Sequence, residues 1–384
     1  MPPVVIDLRT AEDCRDVVHQ AVQALAEGRL VAFPTETVYG VAASALSARA
    51  VERLLEVKGR GEGHPLTLAI RSAEEARDYA PDLSPLGQRL ARRCWPGPIT
   101  LVVDASHPEG LVRQLPDSVR QAVSPGGTVG LRVPGHYIVL DVMRMLAGPL
   151  AFSSANRSGE PDAITADEVL SALGEELDLV VDDGPSRFGQ PSSVLRIIEN
   201  RYDVLRLGVV PEKTVRRLCS LMILLVCTGN TCRSPMAEAI GRDLIAGRLG
   251  CEPEQLEEQG VMVVSAGIAA MMGGRASEGA VQVMDEVGLD LRDHESQPLT
   301  EPLVRHADLI YTMTRSHREA IVAQWPSAAE RTFVLSADGS DVSDPVGGPP
   351  EQYRHCAEQI REEMETRVQQ LPLDAIPGFQ SPNP

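Results

Sequence analysis

Lysine is nearly missing from this 384-residue sequence: among its 36 basic residues only Lys58 and Lys213 are not arginine. A lysine kept against so strong a bias marks a position where a compact ammonium does what a planar guanidinium cannot. Lys58 is that candidate, while Lys213 reads as ordinary surface. Positive charge is scarce altogether, with a formal net charge of -18. That argues against non-specific nucleic-acid binding, which needs a basic surface to displace counterions. Long apolar runs are absent too; the longest obvious one, Leu221 to Val226, is far too short to cross a bilayer. The opening MPPVVIDLRT lacks a basic start followed by an apolar stretch, so it does not read as a secretory signal. No CxxC pair or close His/Cys cluster occurs, which argues against a protein-built zinc site. The seven cysteines, odd in number and irregular in spacing, are expected to be free thiols in a reducing cytoplasm.

What is present suits two different domains without internal repeat. The length exceeds one ordinary core, and 43% hydrophobic residues are enough to fill two. From about Val4 to Leu207, strand candidates such as GRLVAF, PLTLAI, ITLVVD, VGLRVP, PLAFSS, LDLVVD and SSVLRII are interleaved with helical periodicity. This predicts an α/β domain, residues 4–210, around one large twisted sheet. A charged stretch, residues 211–220, reads as a connector. At Leu221 the pattern restarts as a buried strand, a loop and a helix. VMVVSAG, DLIYTMT and RTFVLS follow as strands and EQYRHCAEQIREEMETRVQQL as a last helix. That βαβ rhythm predicts a small doubly wound parallel sheet over residues 221–371. The tail, 372–384, is expected to be unstructured.

The sharpest motif is LLVCTGNTCRSPMAEA, in which Cys227 is followed after five residues by Arg233. The spacing alone means little; its setting supplies the specificity. Cys227 ends a buried strand, Thr228, Gly229, Asn230, Thr231 and Cys232 form a loop, and Ser234-Pro235 opens a helix. Backbone N–H groups of such a loop converge on an oxyanion, and the helix N-terminus adds positive potential. Arg233 can grip two phosphate oxygens with its fork. The same field favours a thiolate at Cys227, with Ser234 placed to donate to it. Phosphoryl transfer also needs an acid for the leaving group, and Asp344-Pro345 before a Gly-rich stretch supplies one.

These residues, with Ser265–Gly267, His294, Ser296 and Ala307–Ile310 in the same order, resemble the low-molecular-weight protein-tyrosine-phosphatase family. The resemblance implies Cys227 as nucleophile, Arg233 as phosphate binder and Asp344 as general acid, acting through a phosphocysteine without a cofactor on a phosphorylated protein. Thr231 in mid-loop and Val346-Gly347-Gly348 after the acid look more like the arginine-phosphatase branch, although Val346 stands where that branch tends to carry an aromatic. A hydroxyl suits a polar, planar phosphoguanidinium better than a phenyl ring. Phosphotyrosine remains the alternative. Cys232 is either a small buried filler or, as the resemblance allows, the partner of Cys227 in a reversible disulfide. An arsenate reductase ranks low, because Cys251 and Cys356 form no resolving pair.

In the first half, FPTETVYG places hydroxyls and Glu36 on a loop after a strand, Lys58-Gly59-Arg60 ends a helix, and Ser153–Asn156 follows another strand. Each alone has a bland reading as a turn, a helix-end charge pair or a cap. Together they combine point charge, planar cation and hydroxyl donors, as a polyphosphate site requires. With WPGPIT, VGLRVP, PSSV and LRLG they resemble the threonylcarbamoyl-AMP synthase family. The resemblance implies a concave ATP cleft in which L-threonine, bicarbonate and ATP with Mg2+ give threonylcarbamoyl-AMP and pyrophosphate. Later tRNA-modification proteins would accept the product. Thr35 and Arg132 would hold threonine, assisted by Ser192; Lys58, Arg60, Ser154, Asn156 and Arg206 would handle ATP. Gly61 stands where the family usually has Pro, PLTLA lacks the usual His, and Ser193 replaces the usual Thr. Other readings make the first half a double-stranded-RNA module and the second a redox-sensing regulator. The expected location is the cytoplasm, without membrane contact.

Overall fold

The computed structural model describes residues 2–59, 65–372 and 376. Arg60 and Gly61, and the tail apart from Pro372 and Ile376, lie outside the described residues. The chain divides into two compact units, Met1–Val215 and Arg216–Pro384.

The first unit is built on a ten-stranded mixed sheet. Its strands are β1 (Val4–Asp7), β2 (Val31–Phe33), β3 (Gly40–Ser44), β4 (Thr67–Ala69), β5 (Ile99–Asp104), β6 (Thr128–Arg132), β7 (Leu150–Ser154), β8 (Leu179–Asp182), β9 (Ser193–Ile198) and β10 (Arg201–Arg206). Their spatial order is β1-β8-β2-β3-β7-β4-β6-β5-β9-β10. β1 and β8 run parallel, while β3 and β7, β5 and β6, and β9 and β10 pair antiparallel. One core packs the helices Cys14–Ala26 and Tyr137–Met145 against Val31, Phe33, Ala42, Leu150 and Phe152. Along β4, β5, β6 and β9, alternate residues point the other way and floor a cavity, as the period of two in a strand requires.

The second unit carries four parallel strands, β11 (Leu221–Cys227), β12 (Val261–Gly267), β13 (Leu309–Thr312) and β14 (Thr332–Val334), in the order β12-β11-β13-β14. Every residue of β11 is buried, as a central parallel strand covered on both faces must be. Leu221, Ile223, Leu225 and Cys227 join one core, with the helices Arg233–Leu249 and Pro350–Gln369. Leu224 and Val226 enter the core on the opposite face. The strand order reverses at β11, so the carboxyl end of this strand opens into the crevice where such sheets bind ligands. Cys227 is its last residue.

The stretch expected as a connector is a helix, Glu212–Cys219, with Val215 and Cys219 buried one turn apart. No described helix is long and apolar enough to cross a membrane.

Candidate functional sites

The loop after β11 is held from outside by its carbonyls. Those of Cys227 and Thr228 accept from the N–H groups of Ile268 and Ala269 at 3.0 and 2.9 Å, and that of Thr231 accepts from Ser277 at 2.8 Å. The Asn230 carbonyl meets His294 Nε2 at 2.8 Å. A carbonyl turned outward points the N–H of the same trans peptide unit the other way. Asn230 N–H points at Cys227 Sγ from 3.2 Å, and Ser234 Oγ lies 3.0 Å from the same sulfur. Asn230 makes this turn in the left-handed region, φ 53°, which asparagine tolerates better than most residues. Its buried amide then donates to Ser234 Oγ at 2.9 Å and Ser265 Oγ at 2.8 Å, and its Oδ1 accepts from Gln297 N–H at 2.8 Å.

Behind this chain, Ser265 Oγ donates to Glu238 at 2.6 Å. Burial pushes the Glu238 carboxyl above the ordinary glutamate range. On the open side, Arg233 Nη2 donates to Asp344 Oδ2 at 2.5 Å and Nη1 to the Val342 carbonyl at 3.4 Å. Arg233 is buried, whereas the Asp344 side chain is about half exposed. The cation and the carboxylate expected at opposite ends of the sequence motif set therefore meet. Cys232 Sγ turns toward Ser277 Oγ, 3.1 Å away, and Tyr353 OH, 3.8 Å away; both it and Cys227 are free thiols. His317, which the sequence did not single out, places Nε2 2.9 Å from Thr228 Oγ1.

In the first unit a cavity of about 580 Å3 lies over the sheet. Its floor takes Thr67 and Ala69 from β4, Thr100 and Val102 from β5, Thr128, Gly130 and Arg132 from β6, and Val194 and Arg196 from β9. Thr35, Ser154, Ser192 and Arg206 line it as well. Arg132 is buried; its Nη2 donates to Glu36 Oε1 at 2.7 Å and Thr37 Oγ1 at 2.9 Å, and its Nε to the Gly97 carbonyl at 3.2 Å. Glu36 spends its other oxygen on Gly135 N–H at 2.8 Å. Thr35 Oγ1 closes its own turn, donating to the Val38 carbonyl at 2.6 Å.

Across the cavity Arg206 reaches the carbonyl and hydroxyl of Ser192, and Ser192 Oγ meets Thr100 Oγ1 at 3.1 Å. Burial pushes the Arg206 guanidinium below its ordinary pKa, and Arg132 adds to that. Lys58 is fully buried. Its Nζ donates to the carbonyls of Ser154 and Asn156 and to Asn156 Oδ1, which also accepts from Ser154 Oγ at 2.5 Å. This ammonium ties the end of the Ala48–Lys58 helix to the segment after β7. The Ser193 hydroxyl faces away from the cavity and bonds to Gly208, and to Val210 through both its N–H and its carbonyl. Thr37, Thr100 and Arg196 escaped the motif reading. The alternation 192, 194, 196 running into β9 carries the signal for Arg196.

Residues 23–208 match the family model described as Telomere recombination, and residues 222–375 match that for low molecular weight phosphotyrosine protein phosphatase. A threonylcarbamoyl-AMP synthase of Pyrococcus abyssi is 37% identical over 194 residues, covering 50% of this chain and 54% of the relative. A putative threonylcarbamoyl-AMP synthase of Mycobacterium leprae is 36% identical over 204 residues, 52% of this chain and 88% of the relative. The chain thus spans about half the length of the Pyrococcus relative, and 55% of a Bacillus subtilis one. Among solved structures, P. abyssi Sua5 complexed with L-threonine is 25% identical with a TM-score of 0.51, covering 68% of this chain and 92% of that one. YwlE arginine phosphatase from Geobacillus stearothermophilus is 34% identical with a TM-score of 0.36, covering 42% of this chain and 98% of that one.

Proposed function

The chain belongs to the threonylcarbamoyl-AMP synthase family and carries behind that domain a low-molecular-weight phosphatase domain, and from this premise we propose that it is a bifunctional enzyme. The first unit joins L-threonine, bicarbonate and ATP into threonylcarbamoyl-AMP for tRNA modification. The threonine amine and bicarbonate condense with loss of water to N-carboxythreonine, whose carboxylate oxygen attacks the α-phosphorus; the bond to the β-phosphate oxygen breaks, and pyrophosphate leaves. Magnesium travels with the ATP phosphates as part of that substrate. The observation that carries this reading is a cavity lined by Arg132, Arg196 and Arg206, which outnumber Asp162 in the lining, above a floor of threonine hydroxyls in a chain of net charge -18. A local cationic pocket in an acidic protein draws polyanions to one place. Thr35 and Arg132, assisted by Ser192, serve the threonine side. Lys58, Ser154, Asn156 and Arg206, with Arg60, serve ATP. Alignment and electrostatics do the work, without a protein nucleophile. Pyrophosphate release that requires threonine and bicarbonate together tests it; none, with tight binding of double-stranded RNA instead, sinks it.

The second unit is a cysteine-dependent phosphatase acting in the cytoplasm on phosphorylated protein. Cys227 attacks phosphorus as the thiolate, the bond to the leaving nitrogen or oxygen breaks, and Asp344 gives that atom its proton. Water then attacks the phosphocysteine, Asp344 takes its proton, the S–P bond breaks to restore the Cys227 thiolate, and phosphate leaves from the Arg233 fork. The carrying observation is the Asn230 N–H and Ser234 Oγ closing on one sulfur. Phosphoarginine is the favoured substrate, because Thr231 offers the loop a hydroxyl and Gly347-Gly348 follow the acid, while Val346 departs from the aromatic usual in the arginine-phosphatase branch. Comparing turnover of phosphoarginine and phosphotyrosine peptides decides it, and faster phosphotyrosine turnover would reverse the assignment.

A further inference from the structure

His317 sits in the first turn of the Arg315–Gln324 helix, 8% exposed, with both ring nitrogens in contact with hydroxyls. Nδ1 lies 2.9 Å from Thr314 Oγ1 and Nε2 lies 2.9 Å from Thr228 Oγ1. Thr314 caps the helix, accepting from His317 N–H at 3.3 Å, and meets Ser316 Oγ at 2.9 Å. Thr228 is the residue directly after the nucleophile, and it is exposed at the lip of the loop. The charges that bear on the ring are Arg233, Asp344 and Asp341. Two of these are the groups assigned above to the phosphoryl and leaving groups.

We propose that His317 is a positioning residue of the phosphatase site, whose Nε2–H is donated to Thr228 Oγ1 so that the Thr228 hydroxyl proton turns into the cradle as a further donor to the bound phosphoryl group. The proposal rests on the phosphatase reading. A neutral imidazole has one donor and one acceptor. We assign both Thr314 lone pairs as acceptors, from the helix N–H and the Ser316 hydroxyl, so that its own proton goes to Nδ1. The ring proton is then on Nε2. With that lone-pair direction of Thr228 filled, its proton points away from the ring, toward the anion. The opposite tautomer would take the Thr228 proton and leave oxygen lone pairs facing a phosphate. Burial, with Arg233 adding to it, holds the ring below its ordinary pKa and so keeps it neutral near neutral pH.

The test uses the full chain, with inorganic phosphate binding by calorimetry and steady-state kinetics on an aryl phosphate. His317→Ala and Thr228→Val are each expected to weaken phosphate about tenfold, as loss of one hydrogen bond to an anion does. KM rises while kcat changes little. The double variant should be no weaker than either single one, since the ring acts through the hydroxyl. Gln Nε2 reaches about as far as the imidazole Nε2, so His317→Gln should recover most of the affinity. Unchanged affinity in His317→Ala, additive losses in the double variant, or failure of the Gln rescue overturns the proposal. A parent chain that binds phosphate with this pattern yet hydrolyses no phosphomonoester or phosphoarginine sinks the phosphatase reading and leaves the positioning role standing.

Discussion

Arg233 gives Nη2 to Asp344 at 2.5 Å, and in the proposed reaction an arriving phosphoryl group competes with that carboxylate for the guanidinium fork. On the proposed mechanism, substrate entry would exchange one anionic partner of the guanidinium for another and set the carboxyl free for the leaving group. Asp344→Asn should bind inorganic phosphate several-fold more tightly, because a neutral amide holds Arg233 less firmly. Turnover should fall by about 100-fold or more through loss of the proton donor. Titration calorimetry and initial rates read the two effects separately, and weaker phosphate binding would contradict the exchange. His317 gives a second test at this scale. Its folded pKa is depressed by burial, so the unfolded chain takes up the proton first as pH falls. Its contribution to stability is whole above the unfolded value of about 6.5 and drains away as pH drops toward the lower folded one. Thermal unfolding at stepped pH should show that acid-side loss, and His317→Gln should flatten it. Cys227, Arg233 and Asp344 were legible because their motifs stand beside a strand end, a helix start and a proline. His317 was not, since a lone histidine in a polar helix carries no pattern until the fold brings Thr228 to it.

Strands and turns decide where those side chains stand. Gly267 pairs with Cys227 across β12 and β11, and a Cβ added there would fall 2.6 Å from the Thr228 carbonyl oxygen and 2.9 Å from Asn230 N. Both obstacles are backbone, so no rotamer change relieves them. Gly267→Ala should push the phosphate loop off the strand, abolish phosphate binding and cost about 1–3 kcal/mol of stability. Urea unfolding and phosphate titration check this, and retained phosphate binding would show that the loop is not held against β12. Elements with a clear apolar signal, the unbroken run of β11 or the one-faced Pro350–Gln369 helix, could be read directly from sequence. β10 could not: RYDVLR pairs only with β9, is largely exposed and has no clean alternation. The Glu212–Cys219 helix was hidden for a related reason. Only Val215 and Cys219 are fully buried on it, in a segment where four of the other six residues are charged. The cavity floor lay between these cases, because four strands each contribute alternate residues and no single motif gathers them.

Across the whole molecule, two units each have their own core and their own candidate chemistry. The sulfur of Cys227 belongs to one and the arginine-lined cavity to the other. Separately expressed halves should each keep the activity assigned to them, and loss of either on separation would show a coupling that the two cores do not call for. The most direct measurement is made on the full chain carrying Cys227→Ser, following pyrophosphate and phosphate release in parallel. Pyrophosphate formation should proceed at the parent rate and require both threonine and bicarbonate, while hydrolysis of phosphoarginine and aryl phosphate should disappear. Phosphate release that persists at the parent rate would contradict the account.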